Sequence, residues 1–284
     1  EWHVYEPKLD AMIMPLPYAY SGDRAPETLQ NSGVPPESFL PVNWLVEDLA
    51  RHGVASYLSQ FQGFAHSTYS RMIGRGATIA PHKTLPESLV NMTWTLQRHG
   101  GQAIYFLYFG QVDATSHDYG PASLQVDAEI EACFDALERW FQRDAASLPA
   151  DTLLLLTADH GQVAVDPATT LYINQQPEFH KLRSMLRTTR QGQLLTPGGS
   201  CRDMFLHVKD GALEDAELLV SNMVGDRGVV RRTSDLIEAG FFGPLPVSDT
   251  FLARAGNLVT LSFEGEAVWW YEKDRFEQKF RGHH

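Results

Sequence analysis

Between residues 84 and 157, two short apolar runs alternate with two long amphipathic stretches, an order that few folds accept. Thr84-x-x-Glu87 is a capping box opening a helix with Leu89, Met92 and Leu96 on one face, ended by Gly100-Gly101. Ala103 to Phe109 is aromatic and β-branched and predicts a buried strand. Ile130, Phe134, Leu137 and Phe141 recur at helical spacing, with Cys133 on the apolar side. Thr152 to Thr157 predicts the next buried strand. Upstream, Trp44, Leu45, Leu49 and Ala50 predict a short helix closed by Gly53, and Val54 to Leu58 a strand. The alternation implies an α/β layered domain with a mainly parallel sheet. Further on, Asn257 to Phe263 and Ala267 to Tyr271 flank Glu264-Gly265-Glu266, which reads as a hairpin. One domain over residues 1–284 is expected, with a peripheral lobe over about 165–255.

Charge narrows the partners. Lys plus Arg number 23 against 35 Asp plus Glu, a net charge of −12 with neutral His. Such a chain is a poor match for a nucleic-acid duplex or an anionic membrane. Phosphate chemistry would need local positive charge, such as bound metal. No apolar run approaches the roughly 18 residues of a membrane span. Cys133 and Cys201 form neither a disulfide framework nor a C-x-x-C zinc pattern. The chain opens at Glu1 without a leader and stops at Arg281-Gly282-His283-His284. Both ends look cut, so the compartment is left open, with a lean to the cytoplasm.

Two strand ends carry the chemistry. The first predicted strand runs into Gly110-Gln-Val-Asp113-Ala-Thr-Ser-His117-Asp-Tyr-Gly120-Pro121, the second into Ala158-Asp159-His160-Gly161-Gln162. Ligands of open α/β sheets bind beyond the carboxyl ends of strands. Asp supplies hard oxygen and His imidazole nitrogen, the donor set of a zinc-like ion. Asp113 and His117 sit in what reads as a Gly/Pro-bounded loop that would bend both onto one ion. Asp159 and His160 are neighbours, so both reach one ion only if the chain turns there. Taken singly, Asp113 reads equally well as a helix cap or turn residue, and Asp159-His160 reads more readily as structural or a surface loop than as a ligand pair. Together, on consecutive strand ends, they favour a metal site. His66 and His82 flank a loop with Arg71 and Arg75 that reads as solvated, with a phosphate contact as the alternative.

Asp-x-x-x-His-x-x-Gly-Pro paired with Thr-Ala-Asp-His-Gly resembles the alkaline phosphatase superfamily, and within it the type I phosphodiesterase/nucleotide pyrophosphatase family. The terminal Arg281-Gly282-His283-His284 is similar to the start of that family's Gly-x-His-Gly segment, which carries one more ligand. The resemblance implies a three-layer α/β/α fold and two divalent metal ions, usually zinc. It implies that Asp113, His117 and His284, favoured over His283, hold one ion, and that Asp159 and His160 hold part of the other. The implied substrate is a small phosphorylated molecule, nucleotides included, cleaved at a phosphodiester or pyrophosphate bond.

The family also has a further Asp ligand and a Thr or Ser nucleophile nearer its N-terminus, and neither is visible here. The chain is therefore expected to be an internal fragment with the N-terminal part missing, so no catalytic nucleophile is assigned. Ser67, Thr68 and Ser70 sit in the wrong chain order to replace it. Alone, these residues are expected to be inactive and poorly stable, with a bare sheet edge. The alternatives are a phosphomonoesterase, phosphonate hydrolase, phosphomutase or sulfatase of the same superfamily, or a non-catalytic metal-binding protein.

Overall fold

The structure is a computed structural model and describes residues 3–39, 45–273 and 275–283. The chain divides into two compact units, one of residues 1–34 with 163–284, the other of residues 35–162. The first unit begins with a three-stranded antiparallel meander, β1 (Val4–Glu6), β2 (Ala11–Met14) and β3 (Ala19–Tyr20).

The second unit holds the predicted alternation. Its elements are α1 (Leu45–Arg51), β4 (Ala55–Phe61), α2 (Thr68–Ile73), β5 (Thr78–His82), α3 (Leu85–Arg98), β6 (Ala103–Leu107), α4 (Gln111–Tyr119) and α5 (Leu124–Arg143). The strands form a parallel sheet in the order β5-β4-β6. Successive residues of β4 face opposite ways. Leu58 packs with Ile79 at Gly74, which ends α2, while Ser59 bonds Ser88 of α3 at 2.8 Å. Helices therefore cover both faces of β4, in three layers.

The capping box forms with one shift. Thr84 Oγ1 accepts the Glu87 N–H at 3.3 Å, but the Glu87 carboxylate accepts from the Lys83 N–H rather than from the cap. Leu85, Leu89 and Met92 of α3 pack with Trp140 of α5, flanked by Tyr105, Leu107, Cys133 and Leu137. Trp140 Nε1 donates to Thr93 Oγ1 at 2.9 Å, so the indole is buried without an orphaned donor. Ser59 Oγ also meets His82 Nδ1 at 3.0 Å in a buried polar cluster. The His82 loop reading is thereby corrected, since its ring is part of the core.

Three further expectations are corrected. Thr152 to Thr157 joins no ladder, and Leu153 and Leu155 are each 79% exposed. An apolar run becomes a strand only by pairing with a neighbour, and this run, mostly leucine, pairs with none among the described residues. β6 is only partly buried, through Tyr105 and Leu107 on its α3 and α5 side, and Ile104 and Phe106 stand exposed. α5 turns Val126, Cys133, Leu137 and Trp140 inward and leaves Phe134 and Phe141 outside.

The first unit continues with β7 (Val163–Ala164), β8 (Leu171–Tyr172), α6 (Phe179–Met185), β9 (Gly198–Gly199), β10 (Asp203–Leu206), α7 (Leu213–Val224), β11 (Gly228–Arg232), α8 (Thr233–Glu238), α9 (Asp249–Arg254), β12 (Leu258–Ser262), β13 (Val268–Trp269) and β14 (Gly282–His283). Its main sheet runs β11-β12-β10-β9 and is antiparallel throughout. Ala216, Val220 and Val224 of α7 share a core with Met204, Leu206, Val230 and Leu258. The predicted hairpin does not form. Both edges of β12 are taken by β10 and β11, so after the turn at Gly265 the chain leaves and β13 pairs with β8.

Candidate metal centre

The carboxyl end of β6 leads through Tyr108, Phe109 and Gly110 directly into α4. The expected loop is thus a helix, because Gln111 to Tyr119 holds no breaker between its bounding glycines. Gly120, at φ 89°, ends it in a conformation that side chains resist. Asp113 lies in the first turn, where free N–H groups and the helix dipole favour a carboxylate. His117 is one turn on, on the same face, with Nε2 3.5 Å from Asp113 Oδ1.

Asp159 and His160 follow the unpaired leucine run where the chain bends. His160 Nε2 lies 3.7 Å from Asp159 Oδ1 and 4.0 Å from Asp113 Oδ1. The required turn is present, and Asp113, His117, Asp159 and His160 come together. His284 lies outside the described residues. His283 sits in β14, paired antiparallel with Val163 of β7.

The polarity of this cluster bears on what it can hold. His160 Nδ1 is 3.0 Å from the Gly161 carbonyl, a contact that needs an N–H at Nδ1. The Nε2 of the same ring lies within 4.0 Å of carboxylate oxygens of both Asp113 and Asp159. Among the described residues no Lys or Arg pairs with Asp113 or Asp159. Gln162, directly after Gly161, places a buried Oε1 with no hydrogen-bond partner beside the same group. The oxygen and imidazole groups of this cluster are of the kinds that bind a divalent cation of the zinc type. Among the described residues no three His, Cys, Asp or Glu side chains already enclose such an ion.

Two neighbours escaped the sequence reading. Tyr108 closes the strand beside the cluster, and burial, with the Asp159 and Asp113 charges adding, pushes its phenol pKa up. Its position at a strand end was a usable signal. Gln162 Nε2 donates to Asp113 Oδ1 and, at 3.2 Å, to the Asp113 carbonyl. Nothing in the sequence marked that pairing. Ser67 caps α2 by accepting the Ser70 N–H at 3.1 Å.

The family model for type I phosphodiesterase/nucleotide pyrophosphatase matches residues 31–284. Mouse ectonucleotide pyrophosphatase/phosphodiesterase family member 7 is 30% identical over 114 residues, covering 38% of this chain and 23% of that protein. Murine ectonucleotide pyrophosphatase/phosphodiesterase 5 has a similar fold, with a TM-score of 0.65 and 15% identity over 99% of this chain and 66% of that one. An inactive variant of that protein is solved in complex with AMP. Phosphonoacetate hydrolase from Sinorhizobium meliloti 1021, in complex with phosphonoacetate, has a TM-score of 0.58 at 14% identity, covering 95% of this chain and 66% of that one. This chain thus spans just under two thirds of the solved relatives and a smaller part of the curated one. With the family model running over most of its length and the alkaline-phosphatase-like fold in place, the chain belongs to the type I phosphodiesterase/nucleotide pyrophosphatase family.

Proposed function

We propose that the intact protein is a phosphoric ester hydrolase that cleaves a phosphodiester or pyrophosphate bond in a small phosphorylated substrate, with a nucleotide as the first candidate. In this reading Asp113 and His117, joined by His284, hold one divalent ion, and Asp159 and His160 hold part of a second, zinc being the ion that suits the donors. Two such ions neutralise phosphoryl oxygens and activate a hydroxyl nucleophile when bound. The nucleophile, a Thr or Ser, is assigned to no residue of this chain and belongs to the remainder of the intact protein.

The chain's own residues supply position and polarity. Asp113 lies in the first turn of α4, where free N–H groups and the helix dipole favour a carboxylate. The Gly161 carbonyl, 3.0 Å from His160 Nδ1, orients the imidazole ring. The phenol of Tyr108 stays protonated at neutral pH and so remains a hydrogen-bond donor at the strand end. One observation carries the reading: the meeting of Asp113 and His117 from α4 with Asp159 and His160 from a distant loop. The AMP and phosphonoacetate complexes of proteins with a similar fold support a small phosphorylated ligand.

The test is hydrolysis by the intact protein and its Asp159→Ala variant. A chromogenic phosphodiester, nucleotides, phosphomonoesters, phosphonates and sulfate esters form the panel. Metal-dependent cleavage of diesters or pyrophosphates, abolished in Asp159→Ala, is expected. Unchanged turnover in the variant refutes the site, and selective cleavage of monoesters, phosphonates or sulfates refutes the substrate class.

A further inference from the structure

We propose that Gln162 is a positioning residue for Asp113, holding its carboxylate in the orientation from which it binds a cation. The inference rests on the reading of Asp113 as a ligand and adds a residue to it. The side-chain amide of Gln162 donates to Asp113 Oδ1 and to the Asp113 carbonyl at 3.2 Å. One amide thus grips both the backbone and the side chain of a single residue. A carboxylate held only through its side chain still swings about χ1 and χ2. Tied through the same donor to its own carbonyl, it is fixed relative to the axis of α4.

The second observation is the other half of the amide. Gln162 Oε1 is buried and has no hydrogen-bond partner among the described residues. A buried carbonyl oxygen left unpaired costs free energy and is kept where the group does something else. Gln162 follows Asp159 and His160 in the same loop, so its grip on Asp113 also ties that loop to α4. Because it carries no charge, Gln162 leaves the negative charge of the carboxylate available to a cation, which a Lys or Arg there would cancel.

Three variants of the intact protein test this: Gln162→Met, which keeps length and removes the amide; Gln162→Asn, which keeps the amide and shortens its reach; and Asp113→Asn. Zinc affinity is measured by competition with a chromogenic chelator, and ligand geometry by the visible absorption of the cobalt(II) form. Gln162→Met and Gln162→Asn are expected to bind zinc about 10- to 100-fold more weakly, the usual cost of losing an outer partner of a ligand. The cobalt band should shift, and kcat should fall more than KM rises.

Wild-type affinity and an unshifted cobalt band in either variant that folds, with binding lost in Asp113→Asn, overturn the role of Gln162 alone. Absence of zinc binding by the wild-type protein overturns the metal reading and this inference with it.

Discussion

The carboxylate of Asp113 and the imidazole of His160 stand 4.0 Å apart, one on a helix that follows a strand, the other in a loop beyond the next helix. In the proposed function a divalent cation lies among these carboxylate and imidazole groups. Removing divalent metal from the intact protein with a strong chelator should therefore abolish hydrolysis, and zinc should restore it. His117→Ala should lower metal-restored turnover by more than about tenfold, since a ligand is worth at least as much as its outer partners. Full activity after exhaustive chelation would contradict this.

The polar cluster under the parallel sheet should be costly to interrupt. Ser59 Oγ is shared by His82 Nδ1 at 3.0 Å and Ser88 Oγ at 2.8 Å, all three residues being buried. Burial lowers the pKa of His82, with the Glu87 charge opposing in part, so the ring is neutral at pH 7. Ser88→Val removes one member and leaves its partner short of a bond. A loss of about 1–3 kcal/mol in chemical denaturation is expected, the usual cost of an unsatisfied buried group. A change below the error of the measurement would show that the cluster is dispensable.

The first unit should weaken on mild acidification. Burial lowers the pKa of His3 to about 4 and that of His207 to about 4, the second aided by the Arg187 charge. Their ordinary value is 6.5, so between pH 6.5 and 4 the unfolded chain binds protons that the folded one refuses. Stability from these groups is intact above the upper value and falls as pH drops toward the lower one. The slope is about 1.4 kcal/mol per pH unit for each ring. Melting temperatures at pH 7 and 5 measure it, and His207→Gln should flatten the trend. An equally steep fall in His207→Gln would assign the acid sensitivity elsewhere.

Trp140 joins α5 to α3 by packing and by its bond to Thr93 at 2.9 Å. Trp140→Ala should cost about 3–5 kcal/mol and Trp140→Phe much less. Equal losses in the two variants would place the energy in the hydrogen bond rather than in burial.

The leucine run offers a contrast between hydrophobicity and burial. Leu153 and Leu155 are each 79% exposed, so replacing both with Ser in the 284-residue chain should change its stability by about 0.5 kcal/mol or less. Binding of a hydrophobic dye should fall, because an exposed apolar patch is what such dyes recognise. A large loss of stability would mean that these side chains are buried in solution.

What the sequence determined by itself was local and chemical. The helix α3 could be read because a cap, an amphipathic face and a closing glycine pair all lie within one stretch of chain. Asp113, His117, Asp159 and His160 were visible because donors of one chemical kind followed two apolar runs in a layered α/β pattern. Tertiary structure decided what depends on neighbours distant in sequence. Whether Thr152 to Thr157 becomes a strand depends on a partner that hydrophobicity does not supply, and whether β12 forms a hairpin depends on which edges are already taken. Gln162 was legible only in three dimensions, because an uncharged amide acquires its role from the carboxylate it happens to touch.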